Sequence, residues 1–128
     1  MNRKEIVTDF FRLIAQGRPM DGLKYCAANC VQHNPYVHGG MGALFDSMAA
    51  VQREQSEFAE PNISLKHVVE QGEIVVVHTQ ILFSKADPSK GGLRQAHIFR
   101  FGSDDKIVEY WDITQVIQPE MPHAANAF

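Results

Sequence analysis

Two hydrophobic periodicities divide the chain, with helical spacing in the first half and strand-like alternation in the second. Asn2, with Glu5 three residues later, predicts the capping box of a first helix, and Gly17 predicts its end. The apolar stripe of this helix consists of Ile6, Phe10 and Ile14. The spacing therefore predicts one amphipathic helix at the start of the chain.

Two further helices are predicted before the strands begin. Pro19 is suited to the start of a short second helix, because Leu23, Ala27 and Cys30 follow it at helical intervals. A third helix is predicted over residues 41–58. It should end before Pro61, since proline disfavours helical backbone in the residue that precedes it.

The second half of the chain predicts four strands joined by short turns. The strand-like runs are NISLKHVVE at 62–70, EIVVVHTQILF at 73–83, LRQAHIFRF at 93–101 and KIVEYWDITQVI at 106–117. Two-residue turns are expected at Gln71-Gly72 and at Asp104-Asp105, and a looser loop at 86–92. Helices followed by strands without a linker predict a single α+β domain over residues 1–128.

The last predicted turn sets a register with chemical consequences. If Asp104 and Asp105 are the two loop residues, His97 lies opposite Asp112, and Trp111 falls on the other face of the sheet. The same register predicts the pairs Gln95–Thr114, Phe99–Tyr110 and Phe101–Val108. Equivalent counting around the first turn places Leu65, His67 and Val69 on the face of Val76 and His78. The position of His78 relative to His97 stays open, because the 86–92 loop is irregular.

Composition narrows the classes of function. The 128 residues are 45% hydrophobic and have a net charge of −3. No segment carries the stripe of basic residues that would predict nucleic-acid binding. The charged start of the chain does not resemble a signal peptide, and no apolar run approaches a membrane span. We therefore expect a soluble, cytoplasmic protein that binds neither nucleic acid nor membrane. Cys26 and Cys30 are expected to be reduced, buried thiols, with a disulfide as the alternative.

Three segments resemble one known family. They are QHNPYV at 32–37, VVVH at 75–78, and HIFRF with KIVEYWDITQ within 97–115. Together they resemble the SnoaL-like polyketide cyclase family of the NTF2-like superfamily over most of the chain. The resemblance implies N-terminal helices packed on a curved, mainly antiparallel sheet, forming a cone with a pocket inside. It also implies a homodimer through the outer sheet face and an intramolecular aldol ring closure that uses neither metal nor cofactor.

The resemblance also implies roles for individual residues. Asp112 resembles the acid/base aspartate of the last strand, and His97 resembles the pocket histidine of the preceding strand. His33 and Asn34 resemble a polar pair on the first strand. Tyr110 departs from the family, because many relatives have histidine there, and His38 stands in a turn that often reads PDG in relatives.

Each of these residues also has a structural interpretation. Asp112 could be one half of a buried ion pair, and His97 could be a core histidine satisfied by its neighbours. Asn34 with Pro35 is suited to a capped turn, and His78 to a core position on a buried strand. The histidines and Asp112 come from separate strands without a close-spaced ligand pair, so we expect no metal site.

The sequence thus predicts an enzyme that moves a proton on a small hydrophobic carbonyl compound, with Asp112 and His97 as catalytic residues. The expected substrate-binding residues are His33, Asn34, Tyr36, His78, Phe99 and Tyr110. Two alternatives stay open: a non-catalytic protein that sequesters an apolar metabolite, and a structural dimer with a vestigial pocket. The strands at 73–83 and 106–117 are apolar on both faces, which predicts that a second chain covers the outer face.

Overall fold

The computed structural model describes residues 1–124 and residue 127. In chain order the elements are α1 (Arg3–Ala15), a 3₁₀ helix (Pro19–Tyr25), β1 (Cys26–Gln32), α2 (Met41–Glu54), α3 (Ser56–Ala59), β2 (Asn62–Gln71), β3 (Ile74–Leu82), a short 3₁₀ helix (Pro88–Lys90), β4 (Gly92–Phe101) and β5 (Ile107–Ile117). The predicted α+β class is confirmed. Among the described residues, no helix is long and apolar enough to cross a membrane.

The five strands form one sheet in the order β1-β5-β4-β3-β2. Strands β2 to β5 pair antiparallel with their neighbours, whereas β1 lies parallel to β5 at the edge. The buried face of α1 packs on one face of this sheet and forms the hydrophobic core with it. The helices thus cover one sheet face, as predicted.

The predicted capping box of α1 is present. The Asn2 side chain accepts a hydrogen bond from the Glu5 amide, and the Glu5 side chain accepts one from the Asn2 amide. After α1 the chain turns through Gly17, whose φ of +72° favours glycine. These local signals fix both ends of α1, and its apolar face then packs against the sheet.

The predicted second helix is wrong beyond Tyr25. Residues Cys26–Gln32 form β1, although the helical spacing predicted a helix as far as Cys30. This segment is a strand because its backbone groups are paired with those of β5 in a parallel arrangement. The local sequence does not indicate this pairing, since alanines and cysteines at helical spacing do not favour a strand. The predicted third helix is broken at Gln55 into α2 and α3, and it ends before Pro61 as expected.

The β4–β5 hairpin has the predicted register across its centre. His97 lies opposite Asp112, Gln95 opposite Thr114, and Phe99 opposite Tyr110. The turn itself differs, because Gly102 bonds to Lys106 and Asp105 adopts a left-handed φ of 59°. A bulge follows, so Phe101 faces Ile107 rather than Val108.

The β2–β3 hairpin keeps the predicted faces for most of its length. His67 pairs with His78 and Val69 with Val76, and the turn is at Gly72-Glu73 rather than Gln71-Gly72. A register shift between Leu65 and His67 moves Leu65 against the core, so its predicted face is wrong. On β4, His97 pairs with Val77, which places His97 and His78 on opposite faces of the sheet.

Candidate functional site

A cavity of about 360 Å³ lies between the helices and the sheet. This volume lies within the range of small-molecule sites, roughly 300–1,000 Å³. Its apolar wall consists of Phe11, Ile14, Val37, Leu44, Met48, Val51, Phe58, Pro61, Ile81 and Leu93. The cavity therefore suits a ligand whose surface is mostly hydrocarbon.

Polar groups are concentrated on the β4 and β5 side of this cavity. They include Asn34, Gln95, His97, Tyr110, Asp112 and Thr114. Asp112 is the single carboxylic acid among the described residues that line the cavity. Asn34 Nδ2 donates a hydrogen bond of 2.8 Å to Asp112 Oδ2. Asp112 Oδ1 has no hydrogen-bond partner among the described residues, which leaves it available to a ligand.

Gln32 holds the loop that carries Asn34. This buried side chain accepts from the Asn34 amide at 2.6 Å and donates to the carbonyls of Val37 and Gly39 at 2.9 and 3.0 Å. Asn34 Oδ1 in turn accepts from the Tyr36 amide. One buried amide group therefore fixes the backbone on both sides of Pro35 and aims Asn34 at Asp112.

We expect Gln32→Ala to lower the free energy of unfolding by roughly 1–3 kcal/mol, because it leaves backbone groups of the loop unsatisfied. Urea denaturation measures the loss. The matched control is Gln118→Ala, since the Gln118 side chain is exposed and makes no hydrogen bond within the described chain. Equal stability of the two variants would contradict the role of Gln32.

His97 is the centre of a separate buried network. Its Nδ1 lies 2.7 Å from Tyr110 Oη, and its Nε2 lies 3.1 Å from Thr79 Oγ1 and 3.2 Å from Gln95 Oε1. Burial lowers the pKa of His97 to about 3, so the ring is neutral at physiological pH. Burial also raises the pKa of Tyr110 well above its ordinary value, so the phenol keeps its proton.

The partners of His97 identify its tautomer. Gln95 Nε2 donates to Thr114 Oγ1 at 3.0 Å, which turns Gln95 Oε1 toward His97. Because an amide oxygen can only accept, the ring hydrogen lies on Nε2, and Nδ1 accepts from the Tyr110 hydroxyl. His97 faces Asp112 across the strands but is not hydrogen-bonded to it. The hydrogen bonds of His97 therefore hold Tyr110 and Gln95 and do not orient the Asp112 carboxylate.

The sequence matches the model of one protein family. The family model described as a SnoaL-like domain matches residues 7–110. The chain belongs to the SnoaL-like family. No curated protein matches it.

Solved structures share the fold of this SnoaL-like domain at low sequence identity. AclR, a putative hydroxylase from Streptomyces galilaeus, has a TM-score of 0.70 at 13% identity over 88% of both chains. The epoxide hydrolase/cyclase-like enzyme SalBIII, of pyran ring formation in the polyether salinomycin, has a TM-score of 0.63 at 20% identity, covering 88% of this chain and 90% of its own. A steroid delta-isomerase from Pseudomonas aeruginosa has a TM-score of 0.61 at 13% identity, covering 88% and 79%. NTF2-like proteins of unknown function are also among the structural neighbours.

Three predicted substrate-binding residues of the SnoaL-like domain lie away from the cavity. His33 follows Gln32 in extended backbone and therefore points to the opposite, outer sheet face. There it stacks on Trp111 at 4.8 Å and bonds to Glu109 at 2.7 Å. Trp111 thus lies on the outer face as predicted, and pairing His33 with Asn34 in one site is wrong.

His78 and Phe99 are the other two. His78 Nδ1 lies 3.1 Å from His67 Nδ1 on the outer face. Both predictions for His78, a core position and a position in the cavity, are therefore wrong. Phe99 is fully buried, with its ring 5.2 Å from Phe10 and 5.1 Å from Tyr110. It supports Tyr110 from behind rather than lining the cavity.

Tyr36 and Tyr110 do line the cavity, in different ways. Tyr36 is 92% exposed at its edge, whereas the Tyr110 hydroxyl is committed to His97.

Several functional side chains were missed from the sequence: Gln32, Gln52, Thr79, Gln95 and Thr114. The predicted register had already placed Gln95 opposite Thr114 on the face of His97, but neither was proposed for the site. Thr79 has the same inward parity on β3, so strand alternation was a signal for all three residues. Gln32 and Gln52 had no such signal, because the pairing of Gln32 with β5 was not predicted and Gln52 lies beside the predicted apolar stripe of a helix.

Proposed function

We propose that this SnoaL-like domain binds a small, mostly apolar carbonyl compound and moves a proton on the carbon beside the carbonyl, with Asp112 as the base. The observation that carries the proposal is a lone carboxylate in a mostly apolar cavity, hydrogen-bonded within the described residues through one of its two oxygens. Such a group can accept a carbon-bound proton and return it at a second position. Cyclisation and double-bond isomerisation both begin with this step.

The surroundings of Asp112 support its role as the base. No lysine or arginine is among the described residues that line the cavity, so no cation neutralises the carboxylate there. Asn34 holds Oδ2 and fixes the direction of Oδ1. The alternative base, His97, keeps its Nδ1 lone pair bonded to Tyr110 and is buried to 4% exposure. His97 is therefore proposed as a positioning residue for Tyr110 and Gln95.

An unpaired acceptor indicates how the ligand is oriented. Gln52 Nε2 donates to the Ile14 carbonyl, and Gln52 Oε1 is buried at the cavity wall without a partner among the residues that the structure describes. A buried acceptor left unpaired is costly, so a hydroxyl or amine of the ligand is the group it suits. The proposed ligand thus carries a carbonyl near Asp112 and a hydrogen-bond donor at the helix side.

Exchange of carbon-bound hydrogen tests the proposal without knowledge of the natural substrate. A panel of cyclic ketones with two to four fused rings, 2-tetralone being the smallest, is incubated with the protein in D₂O and followed by NMR. We expect protein-dependent deuterium incorporation at the carbon beside the carbonyl of at least one ketone. Ketones that bind by thermal shift but none of which exchanges would favour the non-catalytic binder.

The outer sheet face supports a second proposal, that two copies of the chain associate through it. Val31, Val69 and Ile113 are apolar side chains on this face with 51%, 57% and 58% exposure. Exposed apolar side chains at this density are typical of an interface. We expect a sedimenting species of about twice the 14.4 kDa chain mass at micromolar concentration.

Ile113→Lys should shift this species to monomer mass, since it places a charge among the exposed apolar side chains of the face. Lys4→Glu, on the exposed side of α1, is the matched control. Wild-type protein at monomer mass would contradict the dimer.

A further inference from the structure

The two cysteines of β1 lie much closer together than their sequence spacing suggests. Cys26 pairs with Ile107 and Val31 with Glu109, so five steps along β1 lie beside only two steps along β5. At about 3.3 Å per extended residue, Val31 lies only about 7 Å beyond Cys26, because the residues between them bulge out of the strand. Cys30 directly precedes Val31 and falls at the end of this bulge.

Both cysteines line the same small cavity. It has a volume of about 360 Å³ and lies between the bulge and the start of α2, with Cys26, Cys30, Gly40 and Met41 in its wall. It shares no lining residue with the cavity that contains Asp112. Cys30 is buried and Cys26 half-buried, and both are free thiols. The cysteine pair thus lines a cavity separate from the one that contains Asp112.

The two sulfur atoms differ in acidity. The proximity of the Cys26 thiol lowers the pKa of Cys30, and the proximity of Cys30 raises the pKa of Cys26. Cys26 Sγ also lies 3.8 Å from the Gly22 carbonyl, an acceptor for its proton before Cys30 ionises. Oxidation-sensitive sites combine an acidified thiol with a neighbouring thiol that resolves the first product.

We propose that Cys26 and Cys30 form a reversible intramolecular disulfide with hydroperoxides as the oxidant, with Cys30 as the attacking thiol and Cys26 as the resolving thiol. The Cys30 thiolate attacks one oxygen of hydrogen peroxide, the O–O bond breaks, and the hydroxide released becomes water with the proton that Cys30 gave up. Cys26 sulfur then displaces water from the Cys30 sulfenic acid. Two thiols and one peroxide give one disulfide and two waters.

The strand position explains why the thiol pair matters to the rest of the domain. The bulge lies immediately before Gln32, which fixes the loop that carries Asn34. A disulfide across it would fix the bulge in one conformation. This inference does not rest on the proposed catalytic activity, and its test needs no substrate.

The test is peroxide titration of the folded chain followed by mass spectrometry. After removal of peroxide with catalase, free thiols are alkylated in denaturant, so methionine oxidation does not affect the thiol count. Trypsin cleavage after Lys24 and Arg53 gives one peptide that contains both cysteines. We expect both thiols to disappear together, with loss of two hydrogens from this peptide, and dithiothreitol to restore both.

Two variants assign the roles of the thiols. Cys26→Ser should stop at a Cys30 sulfenic acid that dimedone traps, whereas Cys30→Ser should consume peroxide at Cys26 at least about 10-fold more slowly. If either variant fails to fold, the wild-type titration by itself still tests whether the disulfide forms. Oxidation of one cysteine without the other, a disulfide between chains, or equal reactivity of Cys30→Ser and wild type would each overturn the proposal.

Discussion

Asp112→Asn should reduce ketone deuterium exchange by about 10² to 10⁴-fold, the usual cost of removing a general base. Asparagine has nearly the same size and can still hydrogen-bond to Asn34, so the cavity should keep its shape and the ketone should bind with similar affinity. The base alone is lost. Exchange by NMR and ketone affinity by calorimetry, measured on the same sample, separate chemistry from binding.

The matched control for this experiment is His78→Ala. His78 was also expected to bind substrate, yet its ring lies on the outer face against His67. Its removal should leave exchange unchanged. An Asp112→Asn protein that exchanges normally but melts several degrees lower would assign Asp112 a structural role instead.

Acid should destabilise the domain through His97, by about 1.4 kcal/mol for each pH unit below about 6.5. The unfolded chain binds a proton at His97 near that pH, whereas burial lowers the pKa of the folded group to about 3. The contribution of neutral His97 to the free energy of unfolding is therefore fully present above pH 6.5, and it is lost as the pH falls toward 3. Between pH 6 and pH 4 the loss from this one group is about 2–3 kcal/mol.

Urea denaturation across this pH range measures the slope, and His97→Gln provides the comparison because glutamine takes up no proton. The pKa values of Asp9, Asp87 and Glu109 are lowered by hydrogen bonds from neighbouring side chains, so these groups add acid sensitivity to both proteins at lower pH. The difference between the two slopes isolates His97. A His97 ring that titrates near pH 6 by NMR would contradict the buried network.

The hairpin of β4 and β5 could be predicted because its register depends on local sequence. Counting from a turn was enough to place Asp112 and His97 on one face and Trp111 on the other, even though the turn was one residue longer than expected. A bulge compensated for that residue, and the inward parity of the site was preserved. Alternation along a strand is therefore the reliable part of the site prediction.

The contributions of β1 could not be predicted in the same way. Its pairing with β5 joins segments about 80 residues apart, and its Ala and Cys residues carry no strand signal of their own. His33 was misplaced because the motif grouped it with Asn34, although adjacent residues of an extended chain face opposite ways. The hydrogen-bond partners of His97 were not predicted, because the cross-strand register identifies only the residue directly opposite. The His97 ring is instead turned toward Tyr110, a diagonal neighbour on β5.

Chemical rescue tests most directly the claim that the Asp112 carboxylate is the base. In Asp112→Ala the carboxylate is removed and leaves space for a small carboxylic acid in the cavity. We expect ketone exchange by this variant to be slow in chloride and to rise in proportion to added acetate at constant ionic strength and pH. Exchange as fast as wild type in chloride alone, or no response to acetate while wild-type protein exchanges, would contradict it.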